Sequence, residues 1–93
     1  MMTAPFRELD TVVLLRDLPE SGLCRGDLGA VVQVYGTEAV DVEFVTASGR
    51  TQALLTLPVS DVRSVRDDDL MAVRTVPPDR DERPNTQMEP TRR

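Results

Sequence analysis

The sequence predicts a mainly β protein, with one small five-stranded barrel over residues 6–66. Three observations indicate this fold. Short β-branched and aliphatic runs are separated by turns that contain glycine or proline. One run, A-V-D-V-E-F-V-T, alternates apolar and charged residues as a half-buried strand does. A chain of 93 residues is long enough for only one modest core.

Each strand is predicted from its composition and its boundaries. The five predicted strands cover residues 11–15, 30–35, 39–46, 50–57 and 62–65. In the third strand, the two-residue period places Val40, Val42 and Phe44 toward the core. Ser60-Asp61, after Pro58, is expected to form a single tight helical turn, with its side-chain oxygens accepting from free backbone amides.

The chain after the barrel divides into two parts. Residues 67–76 are expected to form a short helix capped by Asp67 or Asp68, although their β-branched end also allows an edge strand. Residues 77–93 are polar and proline-rich, and we expect this tail to be disordered because it has almost nothing apolar to bury.

The connection between the first two strands is rich in glycine: D-L-P-E-S-G-L-C-R-G-D-L-G-A-V-V, residues 17–32. Its glycines are expected where the chain turns with positive φ or passes close to a neighbouring strand. Leu18, Leu23 and Leu28 recur every five residues, and we expect all three to anchor the loop over the core. Purely structural and partner-binding roles both remain open for this loop.

This stretch also carries a family resemblance. The pattern D-L-P-E-x-G-L-x-x-G-D-x-G-x-V-V is found at Asp17, Leu18, Pro19, Glu20, Gly22, Leu23, Gly26, Asp27, Gly29, Val31 and Val32. Over residues 6–65 the chain resembles a bacterial family of short proteins, domain of unknown function 4926. The resemblance implies an SH3-like barrel in a bacterium. It implies no activity.

The net charge argues against nucleic acid as a partner, and the cysteine content and hydropathy indicate the compartment. The formal net charge is -5, and the tail is neutral, so the negative charge belongs to the barrel and the segment that follows it. Nucleic acid is therefore an unlikely partner, because its binding depends on cationic contacts. A single cysteine allows no internal disulfide, and no run is long and apolar enough to span a membrane. We expect a cytoplasmic protein.

Catalytic and cofactor chemistry is not expected. The chain has no histidine, so the commonest general base and neutral metal ligand are missing. Cys24 lacks an activating base. The run Asp67-Asp68-Asp69 lacks the spaced acids, glycine and terminal glutamate of a calcium loop. We therefore predict a protein that is not an enzyme and that has no cofactor and no metal site.

By elimination, the sequence favours a non-catalytic, acidic protein-interaction module, with another protein as its partner. The expected partner-binding residues are Asp17, Glu20, Leu23, Arg25 and Asp27. An immunity or antitoxin-like role is a concrete version, since an acidic surface can mask a basic site on a toxin. The alternative is a nucleic-acid or ribosome-associated module resembling the KOW-type barrels. It requires Arg16, Arg25, Arg50 and Arg63 to converge on one side. The oligomeric state stays open.

Overall fold

A computed structural model of the chain describes residues 4–76, which contain one five-stranded antiparallel sheet of order β4-β3-β2-β1-β5. The strands are β1 Thr11–Leu14, β2 Leu28–Tyr35, β3 Ala39–Val45, β4 Thr51–Pro58 and β5 Val62–Ser64. All five predicted strands are confirmed, with ends that differ by no more than two residues. Two single turns of 3-10 helix, Pro19–Ser21 and Val59–Asp61, precede β2 and β5.

The core lies on one face of the sheet, and β3 supplies its centre. Val40, Val42 and Phe44 are all buried, which confirms the inward face that the alternation predicts. Gly29 passes close to this face, because a Cβ added to it would lie only 2.5 Å from Val42 Cγ1 and 2.9 Å from Phe44 Cε1. The absence of a side chain at residue 29 therefore lets β2 cross directly over the core.

The sheet is mainly antiparallel β as predicted, but closure into a barrel is not seen. In residues 4–76, no ladder joins β4 to β5, so each of these strands is an edge of the sheet. The tight turn expected at Ser60-Asp61 is present, but its predicted side-chain cap is wrong. The Asp61 carboxylate instead accepts a hydrogen bond from Nε of Arg16 at 2.8 Å, so it braces β1 against the turn.

Residues 67–76 form neither the favoured helix nor an edge strand, which corrects that prediction. Asp69 accepts from the backbone amide of Arg66 at 2.7 Å and closes a turn there. The following chain is β-branched at three of its last four residues, which disfavours continuation as a helix. The tail, residues 77–93, lies outside the described residues. Within the described part, no helix has the length and apolar character needed to cross a membrane.

Candidate interaction site

The first loop, residues 15–27 between β1 and β2, folds back on itself. Leu18 N donates to Leu23 O at 2.9 Å, and Leu23 N donates to Leu18 O at 3.0 Å. The turn between them ends at Gly22 with φ +71°, a left-handed conformation that favours glycine. Both leucine side chains are buried in the core. The loop is therefore held in one conformation by the paired backbone and by the two buried side chains.

Two of the predicted site acids shape this loop. Asp17 Oδ1 accepts from the amide of Arg25 at 2.8 Å. Asp27 Oδ2 accepts from the amide of Cys24, also at 2.8 Å. These bonds satisfy backbone donors that the irregular loop would otherwise leave to solvent. Asp17 and Asp27 are thus part of the fold of the loop as well as of its charge.

The other predicted site residues fall in different places. Glu20 and Arg25 are exposed on the loop, where a partner can reach them. Leu23 is only 3% exposed and belongs to the core. This confirms its predicted role as an anchor of the loop, but it does not fit the predicted role in partner binding. Leu28 was expected to be an anchor, and this expectation is wrong. It begins β2 on the face opposite Gly29, and 36% of it is exposed.

Asp27 also forms an ion pair with an arginine that lies far along the chain. Nε of Arg74 lies 2.8 Å from Asp27 Oδ1, and Nη2 of the same guanidinium donates to Gly22 O at 2.9 Å. Partial burial acts to raise the pKa of Asp27, but hydrogen bonds from Arg74 and from the Cys24 amide hold it below its ordinary value. Asp27 therefore stays ionised, and it fixes Arg74 to the first loop.

A second ion pair holds the chain at the end of β5. Arg63 Nη1 lies 2.9 Å from Asp69 Oδ2, and Nη2 lies 2.8 Å from Asp69 Oδ1. The hydrogen bonds from Arg63 lower the pKa of the Asp69 carboxyl well below its ordinary value. Residues 69–74, here called the strap, are thus held by an Arg–Asp pair at each end.

The strap, the first loop and the β3–β4 hairpin border one groove of about 700 Å³. Buried Val13 and Phe44 contribute to its lining. Exposed apolar side chains also line it: Leu28, Val45, Leu70, Met71 and Val73. Leu70 and Val73 are 95% and 97% exposed. Fold stability does not account for side chains this far from the core, because they bury almost no surface within the described chain.

The sequence model of one protein family, described as "Domain of unknown function (DUF4926)", matches residues 8–64. The chain belongs to the DUF4926 family. The predicted family resemblance is thereby confirmed. Searches of curated proteins and of solved structures found no match to this chain.

The DUF4926 region contains all five strands and the first loop, and it ends at the last residue of β5. The strap lies beyond this region. The sequence did not predict the strap, because its two ion pairs join residues at unrelated separations. Arg63 and Asp69 are 6 residues apart, whereas Asp27 and Arg74 are 47 residues apart. The available signal was the apolar run Leu70–Val73 between an aspartate and an arginine, which is equally typical of a short helix.

The arginines that a nucleic-acid interface would use are partly neutralised. Arg16 pairs with Asp61, and Arg63 pairs with Asp69. Arg25 and Arg50 have no acidic partner within 4 Å among residues 4–76. Two of the four cations of the KOW-like alternative are therefore already bound to carboxylates.

Three aspartates in residues 4–76 have a lowered pKa. No group of three or more metal-ligating side chains is assembled in that part of the chain. Asp27, Asp41 and Asp69 have pKa values below the ordinary aspartate value, so all three are ionised at neutral pH. Ionised carboxylates accept hydrogen bonds and attract cations, and they are poor proton donors.

Proposed function

We propose that this DUF4926 protein is a non-catalytic, acidic protein-interaction module that binds its partner through the first loop and the adjoining groove. The observation that carries the proposal is the cluster of exposed apolar side chains along the groove: Leu28, Val45, Leu70, Met71 and Val73. Contiguous exposed apolar surface with a polar rim is typical of interaction sites. Glu20, exposed on the first loop, adds a negative charge.

Charge defines the chemistry of the partner. Residues 4–76 contain seven arginines and twelve acidic residues, so they carry the whole net charge of -5. Exposed Asp67 and Asp68 directly precede the strap. A complementary partner offers an apolar segment with basic residues beside it. Opposite charges on the two surfaces speed association and disfavour acidic competitors.

An immunity or antitoxin-like protein is the concrete version that we favour. In that role, the acidic surface covers a basic nucleic-acid-binding site on a toxin, and the groove receives an apolar side chain next to it. The support is the net negative charge together with the apolar groove. A bacterial, cytoplasmic protein would meet such a toxin before the toxin reaches its target.

The test is affinity purification of the tagged full-length protein from its native host, after nuclease digestion, with quantitative mass spectrometry. We expect one or a few proteins to be enriched in near-stoichiometric amounts and to be released by salt. In parallel, we expect no electrophoretic retardation of RNA or DNA in low salt. Retardation that weakens steeply as salt rises would instead support the KOW-like alternative.

A further inference from the structure

β4 is an edge strand whose outer side is open. Thr51–Pro58 contains eight residues and no charge. It pairs with β3 on one side, and in residues 4–76 its backbone makes no hydrogen bond on the other side. A row of backbone amides and carbonyls is therefore available to another strand.

The opposite edge of the sheet is protected. β5 has only three residues, Val62–Ser64, and its central Arg63 carries the ion pair to Asp69. Short length and charge are the usual means of preventing edge-to-edge pairing. On β4, only the two ends have such features: a bulge at residue 52 and Pro58. The stretch A-L-L-T-L, residues 53–57, has none.

We propose that a second copy of this chain pairs antiparallel with β4, about a two-fold axis at Leu55. A symmetric dimer brings the same strand of both copies together, and a two-fold axis perpendicular to the sheet makes these strands antiparallel. Leu55 is the middle residue of 53–57. It then faces Leu55 of the other copy, Ala53 faces Leu57, and Leu54 faces Thr56. The paired residues lie on the same face of the extended sheet.

Charge and burial favour a second copy at this edge. Two chains of net charge -5 repel each other, but pairing through β4 brings no charged strand residue of one copy against the other. The nearest acidic residue after β4, Asp61, is already paired with Arg16, so it adds no free negative charge at this edge. Leu55 is only partly buried, and Leu54 is 59% exposed; pairing removes more of both from water.

The test is the mass in solution, by sedimentation and light scattering over a wide concentration range, of the full-length protein and two variants. We expect the native protein to reach twice its 10.3 kDa. Leu54→Lys puts a charge on the open edge, and we expect it to stay monomeric with an unchanged circular dichroism spectrum. Val45→Lys is the matched control, because Val45 is 54% exposed and lies on β3. It should dimerise like the native protein.

A cross-linking experiment tests the register. In a Cys24→Ser background, Leu55→Cys should form an intermolecular disulfide on mild oxidation, because directly opposed residues of antiparallel strands have suitable Cα separations. Leu54→Cys should not, because it does not face itself. A native protein that is monomeric at every concentration would overturn the proposal, as would concentration-independent hydrogen-exchange protection of amides 53–57. The latter result would show that the chain covers its own edge.

Discussion

Arg74 binds Asp27, a residue 47 positions earlier in the chain, with Nε 2.8 Å from Oδ1. This ion pair, together with Arg63–Asp69, positions the strap along one side of the groove. The strap side chains themselves contribute little to this placement, since Leu70 and Val73 are almost wholly exposed. Charge rather than burial therefore sets one wall of the proposed binding site.

Removing the arginine should release the strap without unfolding the sheet. For Arg74→Gln, we expect the free energy of unfolding to fall by about 1 kcal/mol, because an ion pair that solvent still reaches contributes little. The backbone of residues 70–76 should become more mobile, which NMR relaxation measures as lower order parameters. Arg50→Gln is the control, as Arg50 has no acidic partner in residues 4–76. A loss of several kcal/mol, or unchanged order parameters in 70–76, would contradict the role given to this pair.

Acid should weaken the protein through Asp27 and Asp69. Both carboxyls have a pKa below the ordinary value of 3.8 in the folded chain, so the folded state binds fewer protons than the unfolded state as the pH approaches that value. Their contribution to stability is complete above the unfolded pKa and is lost as the pH falls through the folded values. Urea denaturation should show stability decreasing from about pH 5 downward.

A double variant distinguishes the contribution of these two carboxyls to acid sensitivity from that of the other acidic groups. Asp27→Asn with Asp69→Asn should be less stable at neutral pH and should lose less stability on acidification. Both the stability at neutral pH and its loss on acidification are measured from the midpoint of urea denaturation. An acid dependence as steep as that of the native protein would assign the effect to other groups.

The only tyrosine reports on the outer face of the sheet. Tyr35 Oη donates to Asp41 Oδ2 at 2.7 Å, and this bond to the carboxylate raises the pKa of the phenol above 10.0. Ultraviolet titration should therefore show tyrosinate forming at higher pH than in the unfolded protein. The stability from this bond is complete below the unfolded pKa and is lost as the pH rises through the folded one. In Asp41→Asn, the titration should move back toward 10.0.

Truncating Phe44 should lower the free energy of unfolding strongly, because its side chain is buried in the core. Phe44→Ala is expected to cost roughly 3–5 kcal/mol, as is typical for emptying a buried aromatic site. The neighbouring Val45→Ala should change stability by less than about 0.5 kcal/mol, because Val45 faces outward. Chemical denaturation measures both. Equal effects of the two substitutions would mean that the inward face of β3 is assigned wrongly.

Local patterns predicted the strands but not the contacts between distant segments. The alternation around Val40, Val42 and Phe44 has only one arrangement that buries apolar side chains, so the sequence was sufficient there. Leu28 was misplaced because a five-residue recurrence has no structural period, whereas its position in β2 follows the two-residue alternation. The bond from Arg74 to Asp27 depends on the path of the chain in three dimensions, which no local spacing in the sequence indicates.

The same distinction applies to the candidate site. Glu20 and Arg25 were predicted as partner-binding residues and are exposed. Leu23 was chosen with them because it lies in the same loop, but the Leu18–Leu23 bridge turns it into the core. Asp17 holds the Arg25 amide, so its substitution would change loop structure and charge together. Groove variants therefore test the proposed function more cleanly than Asp17 does.

The most direct test is partner capture by Val73→Lys, compared with the native protein and with Leu9→Lys as a matched control. Both side chains are more than four-fifths exposed, at 97% and 82%, and only Val73 lines the groove. We expect equal melting temperatures for all three proteins. The partners enriched by the native protein should be retained by Leu9→Lys and lost by Val73→Lys. The same partners, in the same amounts, on all three proteins would contradict the groove as the binding site.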